Sequence, residues 1–286
     1  MIVKDKIYVV TGGCGYLGKE LVKRIIEQGG KVRTLSLNNY DCDEMKKKYG
    51  DSIFVLVGDV ADKQVVQILI APNTTGVFHL AAYKYVGMAE KETIKCINSN
   101  VFGTINVLDV CVENKVDFVI CSSTAAAVKV SGVYGATKML MEKLFHQYQR
   151  EHSGIKFRVL RYGNILYSTG SVLCKWKDAI FNNGKIIITD PDSTRFYTTL
   201  SESVDLLFRC LEESTDSKPY IPAIKAVRMG DILDAMITKY APENHTIVIE
   251  KIGLQLGENK HEVLMENGLD SSEVMNFSPE QVIEMI

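Results

Sequence analysis

Short β-branched apolar runs alternate with amphipathic segments along the first half of the chain. The runs predict six strands, at Ile7–Val10, Val32–Leu37, Ile53–Val57, Val77–Leu80, Phe118–Cys121 and Phe157–Arg161. Between the first two, one face of a predicted helix carries Leu17, Leu21, Ile25 and Ile26, and the helix ends at Gly29-Gly30. This alternation predicts an α/β fold with a doubly wound parallel sheet.

From about residue 171 the strands become shorter, as at Ile186–Ile188 and Ile247–Ile249, and a helix is predicted at Ser203–Glu212. We therefore predict a nucleotide-binding domain at 1–170 and a smaller substrate-binding lobe at 171–286, with interleaved chain segments. Since neither an internal repeat nor a long linker separates the two parts, a ligand cleft is expected between them.

Composition excludes several classes of function. With 33 Lys and Arg against 35 Asp and Glu, the chain has no basic stripe, so we do not expect a nucleic-acid partner. No apolar run approaches the length of a membrane span and no secretory pattern is present, which predicts a soluble cytoplasmic protein without membrane contact. The seven cysteines lack CxxC spacing, so neither a metal site nor a disulfide framework is expected.

A glycine-rich loop follows the first predicted strand, in the stretch TGGCGYLG at 11–18. Gly12 and Gly15 permit a tight turn and a close approach of the backbone to a pyrophosphate, and Gly18 permits close helix packing. Together with Tyr16 and Leu17, these glycines form the predicted dinucleotide-binding loop. The position between a strand and a helix is what makes the motif specific.

The end of the second strand carries neither usual discriminator between dinucleotides. An acidic residue would select NAD and an arginine would select NADP, but the chain has Ser36-Leu37-Asn38-Asn39 there, and Asp41 lies further along the loop. NADP is the prediction and NAD the alternative. Asp59 and Val60 are candidates for bracketing the adenine, with a plain turn role for Asp59 as the alternative.

Tyr134 and Lys138 are four residues apart, so they share a helix face close to the predicted strand end that contains Thr124. A nearby ammonium lowers the pKa of a tyrosine, which predicts Tyr134 as the base that removes a hydroxyl proton while hydride leaves carbon. Thr124 is predicted to share the hydrogen bond of that hydroxyl. His79, in an apolar strand, is interpreted as a core histidine, and Glu142-Lys143 as solvated helix surface.

Several stretches match one family: TGGCGYLGK at 11–19, GDV at 58–60, AAYKYV at 81–86, NSNVFGTINV at 98–107, YGATKMLMEKL at 134–144, RYGN at 161–164, GSV at 170–172, TRFYTTLSE at 194–202 and GENKHEVL at 257–264. The chain resembles the extended short-chain dehydrogenases/reductases, which implies a Rossmann fold. Within them it resembles the inverting UDP-N-acetylglucosamine 4,6-dehydratases of polysaccharide and flagellar sugar biosynthesis. Such enzymes oxidise C4, eliminate water across C5 and C6, and return hydride to C6.

The resemblance also implies roles for further residues. The cofactor set gains Ala81, Ala82, Lys84 and Asn100, and the UDP-sugar set comprises Lys84, Asn164, Ser171, Val172, Arg195 and Glu258. The alternatives are a solvated lysine for Lys84, a turn role for Asn164 and a surface ion pair for Arg195. His261 and Glu262 are expected to maintain the local structure of the lobe. Association into a homo-oligomer through helices of the cofactor domain is also expected.

Two residues depart from the family pattern at positions that take part in catalysis. Ala125 and Ala126 stand where the family has the Asp and Lys that transfer protons during elimination. Either the chain is a relative restricted to redox chemistry, a 4-ketoreductase or 4-epimerase, or it is an inactive double-alanine variant of a dehydratase. The variant is the favoured interpretation, because the surrounding stretch follows the dehydratase pattern. A purely binding, non-enzymatic role is disfavoured by the intact Tyr134 and Lys138.

The family arginine before the GSV glycine is also missing. The chain has Ser168-Thr169-Gly170 in its place, which leaves the sugar and its phosphate contacts open.

Overall fold

The structure is a computed structural model that describes residues 2–182, 184–242, 247–274 and 277–286. Its strands are β1 (Ile7–Thr11), β2 (Lys31–Ser36), β3 (Ile53–Val57), β4 (Thr74–His79), β5 (Phe118–Thr124), β6 (Lys156–Tyr162), β7 (Asn164–Ile165), β8 (Lys185–Ile188), β9 (Thr194–Thr198), β10 (Ala226–Arg228) and β11 (Val248–Lys251). Its helices are α1 (Tyr16–Glu27), α2 (Asn39–Tyr49), α3 (Lys63–Leu69), α4 (Val86–Ala89), α5 (Thr93–Ile97), α6 (Gly103–Glu113), α7 (Val133–Glu151), α8 (Val172–Phe181), α9 (Leu200–Glu213), α10 (Met229–Tyr240) and α11 (Pro279–Met285).

A six-stranded parallel sheet forms the centre of the first part, in the order β3-β2-β1-β4-β5-β6. The strand order reverses between β1 and β4, which is the arrangement of a doubly wound Rossmann sheet and confirms the predicted fold class. Ligands of such sheets bind outside the carboxyl ends of the strands at this reversal. The glycine loop leaves β1 at that point.

Apolar helix faces cover both sides of the sheet. On α1, Leu21 and Ile25 are fully buried, and Leu17 and Ile26 pack at the margin of the same core. The predicted apolar face of this helix is therefore confirmed. After α1, the chain turns at Gly29, whose φ of +85° is a conformation that favours glycine.

The smaller lobe contains a three-stranded sheet in the order β10-β9-β7 and a parallel pair of β8 and β11. Its own core packs around Trp176 and Ile186. The predicted strand at Ile247–Ile249 is observed one residue later, as β11. Among the described residues, no helix is both long and apolar enough to cross a membrane.

Helix α9 lies within residues 171–286 of the sequence but packs on the first part of the chain. Its Val204 and Leu207 belong to the same core as Leu21 of α1, and Arg24 of α1 contacts Asp205. The helix is longer than predicted because Thr199 and Glu202 form a capping box that starts it at Leu200. The division at residue 170 itself remains a prediction.

Candidate active site

The glycine loop has the geometry that a dinucleotide pyrophosphate requires. Gly12 has φ +71°, and a Cβ there would lie 3.0 Å from the backbone nitrogen of Ala81. A Cβ on Gly18 would lie 2.3 Å from the Gly12 carbonyl oxygen, so only glycine fits. Gly15 is the N-cap of α1 and offers no capping side chain. The first backbone N–H groups of α1 are therefore available to an anion, and the loop fits a dinucleotide.

A cavity of about 540 Å³ lies along this loop, lined in part by Gly15, Tyr16, Lys19 and Lys84. Leu17 instead packs at the margin of the core. Burial raises the pKa of the Tyr16 hydroxyl. Of the two loop side chains predicted to face the cofactor, Tyr16 lies at the cavity and Leu17 contributes packing.

At the end of β2, the predicted ribose-binding side chains are engaged locally. The Ser36 hydroxyl accepts a hydrogen bond from Asn38 N at 3.2 Å, and Asn38 Oδ1 accepts one from Tyr40 N at 2.9 Å, capping α2. Asp41 lies 3.0 Å from Lys19 Nζ. None of these contacts distinguishes a ribose hydroxyl from a phosphate.

On the predicted adenine side, Asp59 has the turn role that was the alternative to binding adenine. Its Oδ1 accepts a hydrogen bond from Ala61 N at 3.0 Å, as in a turn. The Val60 side chain is buried against Gly103, so only its backbone can face a ligand.

The ends of β1 and β4 are joined by buried polar side chains. Thr11 Oγ1 accepts hydrogen bonds from Leu80 N and Ala81 N, both at 3.1 Å, which places Ala81 beside Gly12. His79 lies between Thr11 and Thr104, which confirms the interpretation of a core histidine.

Asn100 is also part of the buried scaffold. Its Oδ1 accepts a hydrogen bond from Tyr83 N at 2.7 Å, and its Nδ2 donates to Thr137 at 3.0 Å. These contacts tie the chain after β4 to α7. Asn100 thereby holds the segment after β4, which contains the predicted cofactor residues Ala81 and Ala82.

Thr124, Tyr134 and Lys138 come together at the carboxyl end of β5. Thr124 is the last residue of β5, and its side chain interacts with the Tyr134 hydroxyl. Lys138 is buried one helical turn further along α7, where its Nζ donates to the Ser122 carbonyl at 2.7 Å. The predicted face of α7 is therefore formed.

The prediction that Lys138 lowers the pKa of Tyr134 is wrong in this structure. Burial raises the pKa of the Tyr134 hydroxyl, and Cys96 and Glu262 raise it further. Burial also lowers the pKa of Lys138. The ammonium is directed to the Ser122 carbonyl, so its attraction does not outweigh desolvation of the phenolate.

Ala125 and Ala126 begin a single 3₁₀ turn after Thr124. The Ala125 side chain is only 2% exposed and packs with Phe196, Ala226 and Leu264. Ala126 is half-buried at the cavity wall. Neither methyl group can transfer a proton, and the surroundings of Ala125 are apolar.

The main cavity, of about 1060 Å³, lies between the sheet and the small lobe. Its wall includes all the predicted substrate-binding residues, both alanine positions and two of the three redox residues: Lys84, Thr124, Ala125, Ala126, Tyr134, Asn164, Ser171, Val172, Arg195 and Glu258. Helix α8 begins at Val172 with Ser171 as its N-cap, so the N-terminus of a helix lies at the cavity wall, an arrangement that suits an anion.

Three hydrogen bonds to backbone carbonyls already engage two of the predicted ligand-binding side chains, Lys84 and Arg195. Lys84 Nζ donates to the Thr169 carbonyl at 2.7 Å, which joins two edges of the cleft. Arg195 Nη1 donates to the carbonyls of Thr194 and Lys260, both at 2.9 Å, so part of its guanidinium is already engaged.

The sequence interpretation was wrong about one charged group, Glu142, and gave a second, Glu262, only a role in the local structure of the lobe. Glu142, predicted as solvated surface, is only 8% exposed and forms a buried ion pair with Arg161. Its place one helical turn after Lys138, on the face shared with Tyr134, was a usable signal. Glu262 lines the main cavity and contacts Asn164, and no local pattern indicated that long-range contact.

Comparisons with known proteins agree with this geometry. The family described as "Polysaccharide biosynthesis protein" matches residues 8–281. An uncharacterized membrane protein of Methanocaldococcus jannaschii is 33% identical over 92% of this chain and 81% of its own length. The UDP-N-acetylglucosamine 4,6-dehydratase (inverting) of Campylobacter jejuni is 32% identical over 92% of this chain and 78% of its own length. The UDP-glucose 4-epimerase of Rickettsia rickettsii is 31% identical, also over 92% and 78%.

The solved structure of Pen from Bacillus thuringiensis superimposes with a TM-score of 0.94. It is 27% identical, and the match covers 99% of this chain and 98% of that chain. Among solved structures that share only the fold, several were determined with NAD.

Proposed function

Because the chain belongs to the polysaccharide biosynthesis protein family, with an extended short-chain dehydrogenase/reductase fold, we propose that it is a nicotinamide-dependent enzyme that transfers hydride at C4 of UDP-N-acetylglucosamine or a close UDP-sugar. The observation that carries this proposal is the cluster of Thr124, Tyr134 and Lys138, with Thr124 and Tyr134 on the wall of a large cavity. The glycine loop follows β1, which only β4 separates from β5, and both carboxyl ends lie at the same edge of the sheet, so cofactor and sugar would meet there.

The residues that would hold the dinucleotide are the glycine loop and the N-terminus of α1. When bound, the nicotinamide supplies a hydride acceptor or donor. The NAD complexes of structures that share the fold favour NAD over the NADP first predicted, while the ribose end of the site distinguishes neither.

The chain's own residues would handle the proton. Tyr134 takes the C4 hydroxyl proton while Thr124 orients that hydroxyl. The raised pKa of Tyr134 means that the phenol needs additional positive charge in the site before it can act as a base. Lys138 is positioned to supply part of it, provided that its ammonium turns from the Ser122 carbonyl toward the phenol.

For the second half of a dehydratase reaction, the positions of the elimination pair carry no proton-transfer group. We therefore propose a 4,6-dehydratase framework in which oxidation at C4 is retained and dehydration is disabled. General acid or base groups each commonly contribute about 10²–10⁴-fold, so elimination by this chain should be barely detectable.

A 4-ketoreductase or 4-epimerase is the second candidate, and the packing of Ala125 favours it. The Ala125 methyl packs with Phe196, Ala226 and Leu264, so a carboxylate at this position of the cavity wall would lie beside an apolar cluster that alanine fits. The relatives do not separate the candidates, because the dehydratase and the epimerase are almost equally similar to the chain.

The test is mass spectrometry of UDP-N-acetylglucosamine incubated with the protein and, in parallel, with Ala125→Asp/Ala126→Lys. Loss of one water only with the double variant supports the disabled dehydratase. Formation of the C4 epimer, or reduction of an added UDP-4-keto sugar by the unaltered chain, establishes the second candidate. Tyr134→Phe is the control, because either activity should disappear with it.

The other biological expectations remain proposals. These are a cytoplasmic location, a UDP-sugar substrate with neither a nucleic-acid nor a membrane partner, and a homo-oligomer. On α7, a helix of the cofactor domain, Leu140 is 45% exposed while Met141 is buried, so Leu140 offers apolar surface for such association.

A further inference from the structure

The first turn of α7, which carries Tyr134, is weakly specified by its own sequence. Its N-cap is Gly132, which has no side chain to cap the helix, and no acidic residue lies in the first turn. The third residue, Gly135, is also a glycine, and a Cβ there would lie 2.5 Å from the Ala126 carbonyl oxygen. Glycine is a poor helix former, and at the N-cap it offers no side-chain acceptor to the unpaired N–H groups of the helix start. The turn that presents the phenol therefore depends on support from elsewhere in the fold.

Glu90, which follows the short helix α4, supplies that support from a distant part of the chain. Its Oε1 accepts a hydrogen bond from Val133 N, the first N–H of α7, at 2.7 Å. Within the described residues, no other side chain accepts from the first three N–H groups of this helix. A carboxylate beside a helix N-terminus also interacts favourably with the helix dipole. Glu90 thus does for α7 what an N-cap side chain normally does.

The Glu90 carboxylate lies where three segments meet. A Cβ on Gly132 would lie 2.3 Å from Glu90 Oε1 and 2.9 Å from Gly257 Cα, so the start of α7 packs closely against both. Ser131 Oγ donates to the Gly257 carbonyl at 2.9 Å. Glu90 and Gly257 also line the main cavity. The start of α7 is therefore held between the end of α4 and the segment that leads into Glu258.

We propose that Glu90 is a positioning residue for Tyr134, because it caps α7 from outside the helix and so keeps the phenol beside Thr124 at the C4 hydroxyl of the sugar. This inference rests on the proposed function, since it assumes hydride transfer from a sugar in the main cavity. Tyr134 directly follows Val133, so fraying of the first turn displaces the phenol. Glu90 acts through the helix and requires no contact with the sugar.

The experiment compares Glu90→Ala and Glu90→Gln with the unaltered protein, each supplied with NAD and mixed with UDP-N-acetylglucosamine. The absorbance of the reduced nicotinamide reports hydride transfer, and calorimetry reports binding of the sugar nucleotide. Glu90→Ala should slow hydride transfer at saturating sugar nucleotide by about 10–100-fold, because a small displacement of a catalytic group is costly, while the affinity stays unchanged. Glu90→Gln should retain most of the rate, since its amide oxygen still accepts from Val133 N.

Hydrogen exchange provides a readout that does not depend on activity. The amides of the first turns of α7 should lose protection in Glu90→Ala and keep it in Glu90→Gln. Gly132→Ala should reproduce the effects of Glu90→Ala, because its Cβ displaces the Glu90 carboxylate while the φ of −168° suits any residue.

Ser278→Ala is the matched control for the loss of a cap. It removes the side-chain cap of α11, and no described residue of that helix lines either cavity. Its effect on stability should resemble that of Glu90→Ala, but the rate of hydride transfer should not change.

The outcomes separate this inference from the proposed function. Weaker binding of UDP-N-acetylglucosamine to Glu90→Ala with an unchanged rate at saturation would make Glu90 a ligand contact and overturn the inference. A rate lost equally in Glu90→Gln, or in Ser278→Ala, would also overturn it, because charge or general stability would then explain the loss. If the unaltered protein neither reduces NAD with UDP-N-acetylglucosamine nor reduces a UDP-4-keto sugar, the proposed function is overturned, and with it the catalytic role of the cap.

Discussion

The hydrogen bonds around His79 require a neutral imidazole of one tautomer. Thr11 Oγ1 already accepts two backbone N–H groups, so its hydroxyl proton is donated to His79 Nδ1 at 2.9 Å. His79 Nε2–H then donates to Thr104 at 3.0 Å, whose hydroxyl donates to the Asn100 carbonyl at 2.7 Å. A second imidazole proton, on Nδ1, would face the Thr11 hydroxyl proton. Protonation therefore breaks the hydrogen bond between His79 and Thr11, the residue whose Oγ1 accepts from Ala81 N.

We therefore expect acid to destabilise the protein through His79. Burial, with a smaller effect of Lys138, lowers the pKa of His79 to about 3 from its ordinary 6.5. Below the ordinary value the unfolded chain binds a proton that the folded chain does not, so stability is lost as pH falls from 6.5 toward 3. The contribution approaches about 1.4 kcal/mol per pH unit.

Urea unfolding between about pH 7 and pH 4 would measure this effect. His79→Asn should lower stability near neutral pH and flatten the pH dependence, because the titrating group is gone. His152→Asn, at the end of α7, should keep the steep dependence of the unaltered chain. Equal slopes for His79→Asn and the unaltered protein would contradict the assignment.

At the scale of elements, one buried ion pair joins α7 to β6. Arg161 Nε lies 2.9 Å from Glu142 Oε1, and the Ser123 hydroxyl of β5 donates to the same carboxylate. Arg161 Nη1 donates to the Leu264 carbonyl at 2.7 Å, two residues beyond Glu262. The helix that carries Tyr134 and Lys138 is thereby connected to the segment that contacts Asn164.

Glu142→Gln should lower the free energy of unfolding by about 3–5 kcal/mol, because it leaves the Arg161 charge buried without a counter-ion. Urea unfolding measures the loss. Glu142→Leu/Arg161→Met should lose less than the single variant, since it removes both charges. Glu44→Gln breaks the exposed Lys47 pair and is the control. A Glu142→Gln loss as small as that of the control would show that the pair does not anchor α7.

At the scale of the whole molecule, sequence patterns predicted the features that depend on residues close together in the chain. The strands and the glycine loop follow from periodicity and glycine spacing. The polar end of β5, from Ser122 to Thr124, lies beyond the apolar run that predicted the strand, and its pairing with β6 extends it. Contacts between distant segments, such as Glu262 with Asn164, leave no local signal, because the fold alone brings the two residues together.

The same long-range packing leads us to expect that residues 1–170 do not fold alone. Within the described chain, α9 covers one side of the central sheet with Val204 and Leu207. Tyr220 adds backbone hydrogen bonds to the edge strand β6, at Val159 and Arg161. Without residues 171–286, the fragment would expose this apolar face and leave the β6 edge unpaired.

Urea unfolding monitored by circular dichroism should show no cooperative transition for the 1–170 fragment. Co-expression of 171–286 should restore one, because it returns α9 and the Tyr220 segment to their places on the sheet. A cooperative transition for 1–170 alone would instead show that α1 and the glycine loop need no support from α9. The cofactor site would then be complete in the first part of the chain, and the interleaved segments would serve only the substrate cleft.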